Sequence, residues 1–334
     1  MRIIFNLMQC GLGNQGGSKT IVESANELHK LGHEVTIIDT GKNHHTWTPL
    51  NVPHKKIRSY NNIPDADIVI ATGFNTAKST VRIPKRCGIK VHWIRGFELW
   101  NMTKRQIIKD VLEVPINKMV NGKGLQTKLK QLGFESKIIR PGYNIDAFSE
   151  LKIRNKTNEI TILGGLYNSG KKRSTKRVKW IIDAVEQLRK KYRIELWMMG
   201  TEPKPFGKII DKYFHQPDLK AKNTFYNYIN LWLAPTCLEG LHIPPAEAML
   251  TGCPVLCTNA PLGGMQDYMI GGETGIVTEN NFDSFYNGIE HLLKNQNEMF
   301  AYGGVARRSV LKLGTREDNM KKMVEHFESL INKK

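Results

Sequence analysis

The sequence predicts an α/β protein of two similar domains, each a buried parallel sheet with helices over both faces. Three observations carry this. Strand and helix signals alternate from the first residues; the alternation restarts after a polar stretch, Ser149 to Glu159; and each half opens with a short apolar run feeding a glycine-containing loop. A length of 334 residues also exceeds one ordinary core and suits two domains of about 150 residues each.

In the first half, Arg2 to Met8 is a short apolar strand, followed by the loop Gly11-Leu12-Gly13-Asn14-Gln15-Gly16-Gly17. Ile21, Val22, Ala25, Leu28 and Leu31 then fall on one helical stripe, closed by Gly32. Val35–Ile38, Asp67–Ala71, Lys90–Ile94, Lys118–Asn121 and Lys137–Arg140 supply further strands. They are continuous apolar runs, as a sheet buried on both faces requires. In the second half, Ile160–Leu163 leads through Gly164-Gly165 and a basic loop to a helix with Val178, Ile181, Ile182, Val185 and Leu188 on one face. Ile194–Met199, Leu231–Ala234, Pro254–Thr258 and Gly275–Thr278 are the remaining strands. Met320, Met323, Val324, Phe327, Leu330 and Ile331 mark a closing amphipathic helix. The expected division is 1–149, 150–312, and a helix at 313–334 packing back on the first domain. Two Rossmann-like domains facing each other across a cleft follow from this pattern.

Composition narrows the function classes. Hydrophobic residues make up 40% and charged residues 24%, a globular and not a disordered balance. No apolar run approaches the roughly 18–20 residues of a membrane-spanning helix, and Met1–Met8 is too short for a signal h-region. Five cysteines (Cys10, Cys87, Cys237, Cys253, Cys257) without a CxxC pair predict free thiols in a reducing, cytoplasmic compartment, with neither zinc nor disulfides. The unusual number is the formal charge of +18, which points to a polyanionic partner (nucleic acid, an anionic membrane surface or phosphorylated ligands) or to a soluble enzyme that is simply basic.

The most informative stretch runs from Leu233 to Val255: LAPTCLEGLHIPPAEAMLTGCPV. A strand ends in a loop with one carboxylate, Glu239, and a helix is expected to begin near Pro245, with Glu247 in its first turn. Free N–H groups at Leu241 to Ile243 would then hold a diphosphate, and a nearby glutamate would accept two ribose hydroxyls. For Glu247 alone, compensation of the helix dipole is an equally simple role.

Taken whole, the stretch resembles the donor-site signature of glycosyltransferase family 4, retaining enzymes of the GT-B fold. Its hallmark is two glutamates separated by seven residues, matched by Glu239 and Glu247, with the Glu-Gly pair, Glu-Ala-Met and Gly-Cys-Pro-Val around them. The resemblance implies that Glu247 binds the ribose of a nucleotide-sugar and that Glu239 lies beside the sugar hydroxyls. It also implies that Gly240, Leu241, His242 and Ile243 touch phosphate and sugar through backbone N–H groups. Gly16-Gly17 with Gly32-His33-Glu34-Val35 is similar to the family's opening, where a glycine loop approaches donor and acceptor. Arg140 to Phe148 is similar to its hinge, and Thr274-Gly275-Ile276-Val277 to its late strand.

The family places an Arg after the first strand of the second domain and a Lys soon after it, to neutralise the diphosphate as it leaves. Gly165 occupies the Arg position here. The segment Lys171 to Lys179 is unusually basic, so Lys176 fits the expected Lys, and Lys172 or Arg173 stands in for the Arg. A solvated charge run would account for part of this segment.

On the acceptor side, His92-Trp93-Ile94-Arg95-Gly96-Phe97-Glu98-Leu99-Trp100 ends a strand and resembles a strand end of some family members. Glu98 is expected to orient the acceptor or sugar. His92 is a second catalytic candidate, although a strand histidine is more often packed than reactive. Trp47, Arg86, Arg95 and Trp100 are the acceptor-binding candidates. Asp65-Ala66-Asp67 has a DxD spacing but immediately precedes a strand, so strand capping is expected. No metal and no cofactor beyond the sugar donor is expected. Gly11, Gly13 and Gly16 also spell a GxGxxG loop, with Asp39 ending the second strand where a ribose-binding acid would sit. An NAD-dependent dehydrogenase is therefore the formal competitor, but it leaves the two glutamates unexplained.

The resemblance implies transfer with retention, the leaving diphosphate deprotonating the incoming hydroxyl. UDP-glucose is the default donor. For the acceptor, 22 basic and 12 acidic residues in 1–150, against 27 and 19 in 151–334, spread the positive field over both halves. Lys78, Arg82, Lys85, Arg86 and Lys90 cluster in the first, with His44, His45, Trp47 and Tyr60 in an irregular loop. Double-stranded DNA carrying a hydroxymethylated pyrimidine, as modified by some bacteriophage enzymes in the host cytoplasm, fits such a field. The alternative is a lipid-linked or cell-envelope glycan, the enzyme docking on anionic membrane. DNA is preferred because residues 50–110 show no amphipathic membrane helix.

Overall fold

The computed structural model describes residues 1–41, 45–154, 159–168, 175–203 and 208–333. The chain divides into two units, Met1–Gly142 with Thr315–Lys334, and Tyr143–Gly314. The first join lies a few residues before the expected 149/150, because Tyr143 and Phe148 are already buried in the core of the second unit.

In the first unit the elements run β1 (Arg2–Asn6), α1 (Gly16–Lys30), β2 (Glu34–Asp39), β3 (His54–Lys56), β4 (Ile68–Ala71), α2 (Phe74–Val81), β5 (Ile89–Ile94), α3 (Lys104–Ile107), β6 (Asn117–Val120), α4 (Lys123–Gln131) and β7 (Lys137–Ile138). All seven strands are parallel, in the order β3-β2-β1-β4-β5-β6-β7. Ile3 sits between Val35 and Ile68, a register that stacks apolar side chains along the middle of the sheet. The α1 stripe buries Ile21, Val22, Ala25 and Leu28, and Gly32, at φ +89°, ends the helix as expected.

The second unit contains β8 (Thr161–Leu166), α5 (Val178–Leu188), β9 (Ile194–Gly200), β10 (Lys212–His215), α6 (Leu219–Tyr228), β11 (Leu231–Ala234), α7 (Ile243–Leu250), β12 (Val255–Thr258), β13 (Ile276–Thr278), α8 (Phe282–Lys294) and α9 (Gln296–Leu311). Its six parallel strands are ordered β10-β9-β8-β11-β12-β13. Both sheets are Rossmann-like and α/β, as the sequence predicted.

The last helix, α10 (Arg316–Ile331), belongs to the first unit, where Met320, Met323 and Phe327 are fully enclosed in the core. Gly142, at φ +74°, makes this possible: a Cβ there would lie 2.4 Å from the Arg316 Cα. The Arg316 guanidinium ties the arrangement, donating to the Pro141 carbonyl at 2.9 Å and pairing with Glu23 at 2.8 Å.

Several details differ from the sequence reading. Gly164 and Gly165 do not leave the first strand of the second unit; β8 continues through them to Leu166. A Cβ on Gly164 would meet Ile229 at 2.4 Å and one on Gly165 would meet Ile181 at 2.9 Å, so glycine lets the layers on both faces close in. The Gly165 position is therefore interior, and an Arg there would be driven into the α5 layer. The strand expected at Lys137–Arg140 shrinks to two residues, and the short strands β3 and β10 were not anticipated. Their mixed polar sequences, HKK and KYFH, carry no apolar run to read.

Candidate functional site

In open parallel sheets, ligands bind beyond the carboxyl ends of the strands where the winding direction reverses. In the second unit that point lies between β8 and β11. The loop after β8 supplies Thr175 and Lys176, and the loop after β11 supplies residues 235–242. The Cys237 N–H donates to the Thr175 carbonyl at 2.9 Å, and the Lys176 ammonium forms an ion pair with Glu239. The two candidates from opposite sides of the switch point are thus in direct contact. Lys172 and Arg173 lie outside the described residues.

The loop carrying Glu239 is clamped from beneath. The Glu239 N–H donates to the Leu262 carbonyl at 2.6 Å, and the His242 N–H to the Gly264 carbonyl at 2.9 Å. The Tyr268 hydroxyl donates to the His242 carbonyl. Gly264 sits at φ +77°, and a Cβ on it would lie 2.8 Å from both the Glu239 Cβ and the His242 nitrogen. This corrects one expectation: the His242 N–H is already committed to Gly264 and is not free for a diphosphate. The N–H groups of Gly240, Leu241 and Ile243 have no partner among the described residues. The last stands at the first position of α7, where free donors and the helix dipole favour an anion.

α7 begins at Ile243 and not near Pro245, with its prolines inside the first turn. Glu247 therefore lies in the second turn, too deep for dipole compensation to be its main role. It is 7% exposed and held by α6: the Tyr226 hydroxyl donates to its Oε2 at 2.9 Å, and the Lys222 ammonium pairs with it at 3.2 Å. Burial and the neighbouring Glu247 push the Tyr226 phenol well above its ordinary pKa, so it remains a donor. Both contacts fall on Oε2 of Glu247; among the described residues Oε1 meets only the Lys222 ammonium, at 3.5 Å, and the carboxylate retains lone pairs for two further hydroxyls. Lys222 and Tyr226 were missed from sequence, although their four-residue spacing on one helix face was a readable signal. His242 is 2% exposed, with neither ring nitrogen partnered among the described residues. Burial first, and the Lys176 charge second, drive its pKa well below the usual value, so the ring is neutral.

In the first unit the reversal falls between β1 and β4. Gly16 and Gly17 are the opening residues of α1. A Cβ on Gly16 would meet nothing within 4 Å, whereas one on Gly17 would touch the Arg95 guanidinium at 3.4 Å. Arg95 donates to the Gly17 carbonyl and, at 2.8 Å, to the Thr72 carbonyl, stapling the glycine loop to the end of β4. Burial lowers its pKa to about 10, which leaves it charged at neutral pH. Glu98 lies near the Phe74 N–H at the start of α2. Its own pKa is raised by burial, against the opposing pull of Arg95. Arg95 thus holds backbone at the carboxyl edge of the sheet. Trp100, on the same loop, is 52% exposed and Leu99 beside it 42% exposed. Trp47 is half-buried, and its loop is latched to the glycine loop by Asn14 and Thr46 and by His45 against the Gly13 carbonyl.

Two candidates do not join this group. Arg86 precedes β5 and pairs with Asp65, which precedes β4, so it lies at the opposite edge of the parallel sheet from Arg95 and Trp100. His92 is fully buried within β5, between Ala71 and Lys118 in register. Desolvation, then Lys118 and Arg95, lower its pKa to about 3. The ring is therefore neutral and enclosed within the strand. Asp67 accepts the Arg2 N–H at 2.7 Å and pairs with the Arg2 side chain, as expected of strand capping. Asp39 is fully buried and accepts from Leu12 N at 3.1 Å, from Gly41 N and from His54. It anchors the glycine loop, which removes the ribose-binding acid that a dehydrogenase would need.

Residues 157–295 match the family model described as "Glycosyl transferases group 1". No match to a curated protein was found by sequence. Among solved structures, the chain is similar to sucrose-phosphate synthase from Thermosynechococcus elongatus, at a TM-score of 0.80 and 14% identity over 100% of both chains. It is also similar to Anabaena HepE in complex with UDP-glucose, at a TM-score of 0.77 and 12% identity, covering 98% of this chain and 100% of that one. WaaG, described as a glycosyltransferase involved in lipopolysaccharide biosynthesis, matches at a TM-score of 0.66 and 16% identity over 97% and 99% of the two chains. The fold is GT-B, and residues 157–295 of the second unit carry a glycosyltransferase group 1 domain.

Proposed function

We propose that the glycosyltransferase domain in the second unit takes a nucleotide-sugar at the β8–β11 switch point and transfers its sugar to a hydroxyl with retention of configuration. The observation that carries this reading is the placement, along α7 and the loop that leads into it, of Glu239 paired with Lys176, of the Leu241 and Ile243 N–H groups without a partner among the described residues, and of Glu247 held by Tyr226 and Lys222. In this reading Glu247 accepts the two ribose hydroxyls, and the start of α7 with Lys176 receives the diphosphate. Charge that develops on the leaving diphosphate is stabilised by donors already in place. Glu239, compensated by Lys176, orients the sugar and is not a nucleophile. The leaving diphosphate deprotonates the acceptor. UDP-glucose is the default donor, in keeping with the UDP-glucose named in the HepE complex.

The acceptor is proposed to be a hydroxymethylated pyrimidine in double-stranded DNA, on the strength of the +18 charge spread over the chain. Part of the basic cluster in the first unit is already engaged: Lys78 pairs with Asp110 and Arg86 with Asp65, and Lys90 donates to the Pro84 and Gly88 carbonyls. A second reading, a lipid-linked hydroxyl at an anionic membrane, is favoured by exposed Leu99 and Trp100 on the segment that continues into exposed Lys104, Arg105 and Lys109. Sugar transfer from a nucleotide-sugar panel to hydroxymethylated duplex, plain duplex and a lipid-linked acceptor separates the two. Transfer that requires the hydroxymethyl group supports DNA; transfer to lipid alone refutes it.

A further inference from the structure

We propose that the His242 side chain selects the transferred sugar by hydrogen-bonding one of its hydroxyls, an inference that rests on nucleotide-sugar binding in the second unit. His242 is 2% exposed, yet neither Nδ1 nor Nε2 has a partner among the described residues. Each buried polar atom left unmatched costs about 1–3 kcal/mol, so a residue with two of them calls for a ligand. His92 shares the orphaned nitrogens but lies inside β5, between Ala71 and Lys118. His242, by contrast, caps the N-terminus of α7 at the carboxyl edge of β11, three residues from Glu239.

Its frame is rigid. The backbone is pinned through its N–H by Gly264 and through its carbonyl by Tyr268, and a Cβ on Gly264 would lie 2.8 Å from the His242 nitrogen. The backbone dihedrals, φ −84° and ψ 95°, are therefore held before any ligand arrives. A fixed side chain that meets its partner without reordering is what selective recognition needs.

The chemistry of the ring narrows the ligand. Burial and the nearby Lys176 keep the imidazole neutral, so it offers one N–H donor and one acceptor. A diphosphate, all acceptors, would use only the donor. A sugar hydroxyl both donates and accepts, and matches the neutral ring. The N–H groups of Leu241 and Ile243 on either side of His242 suit the anion, which leaves the imidazole for the sugar. A site built around such a bond rejects the isomer that fails to make it.

Calorimetric titration of UDP, ADP and GDP and their glucose esters, with UDP-galactose as an epimer, tests this on the wild-type chain and on His242→Ala and His242→Asn. His242→Ala is expected to bind the bare nucleoside diphosphate within about twofold of wild type. The ratio between sugar-nucleotide and bare-nucleotide affinity should shift by about tenfold, and the preference between epimers should narrow. His242→Asn, which carries both a donor and an acceptor, should recover part of that ratio. An unchanged ratio in His242→Ala overturns the proposal, as does a parallel loss of affinity for both ligands, which would mark a purely structural residue. Wild-type protein that binds no nucleotide with or without sugar defeats the donor reading itself, and is distinguishable from either result.

Discussion

At the scale of single residues, the partners of a buried group separate the candidates. His92 and Glu247 were both singled out in the sequence, and both are enclosed, but they meet different surroundings. Glu247 is matched by Tyr226 and Lys222 and keeps lone pairs to offer. His92 is matched by nothing among the described residues and is held neutral. A histidine whose folded pKa, about 3, lies below its unfolded value near 6.5 stabilises the fold fully above 6.5. That contribution is lost as the pH falls from 6.5 toward 3, because the unfolded chain binds the proton first. The expected loss is about 2 kcal/mol by pH 5. Denaturant melts of wild type and His92→Leu at pH 7 and pH 5 check it: the variant should lose less stability on acidification, and an equal loss would assign the acid limb elsewhere. Sequence alone could name this histidine but not its neutrality, which depends on β4 and β6 closing around it.

At the scale of elements, the strands were legible because they are continuous apolar runs, and α1 and α5 because their stripes are regular. The short strand β3 and the edge strand β10 were not, since edges tolerate polar residues and leave no run to read. The start of α7 was misplaced by two residues because Pro244 and Pro245 both fit a first turn, and only the backbone shows which does. Asp39 gives the clearest lesson. An acid at the end of the second strand is the pattern of a ribose-binding site, yet here it accepts the N–H groups of Leu12 and Gly41 and holds His54. Asp39→Ala leaves those buried donors unmatched and is expected to destabilise the chain by about 3 kcal/mol, measurable as a lowered melting temperature. Unchanged thermal stability would show that the glycine loop does not depend on this anchor.

Across the whole molecule, two sheets of the same winding were readable from two successive alternations, and the candidate donor site was proposed from a single stretch of the second. The contribution of the C-terminal helix to the first unit is a matter of packing: Met320, Met323 and Phe327 are fully buried there, and Gly142 admits the first turn of α10. Removing residues 315–334 should therefore unfold the first unit selectively, seen as loss of its protection in hydrogen exchange while β8, β9 and β11 stay protected. Retained protection of β1 and β4 would make the helix dispensable. The charge, the least specific sequence feature, stays the weakest guide: several of its lysines and arginines are spent on local pairs. Binding of a nucleotide-sugar to the second unit through Glu247, as proposed, is tested by steady-state transfer kinetics on wild type and Glu247→Ala. The donor Michaelis constant should rise at least tenfold in the variant, the equivalent of about 1.4 kcal/mol, with the acceptor constant unmoved. A donor constant equal to that of wild type would contradict it.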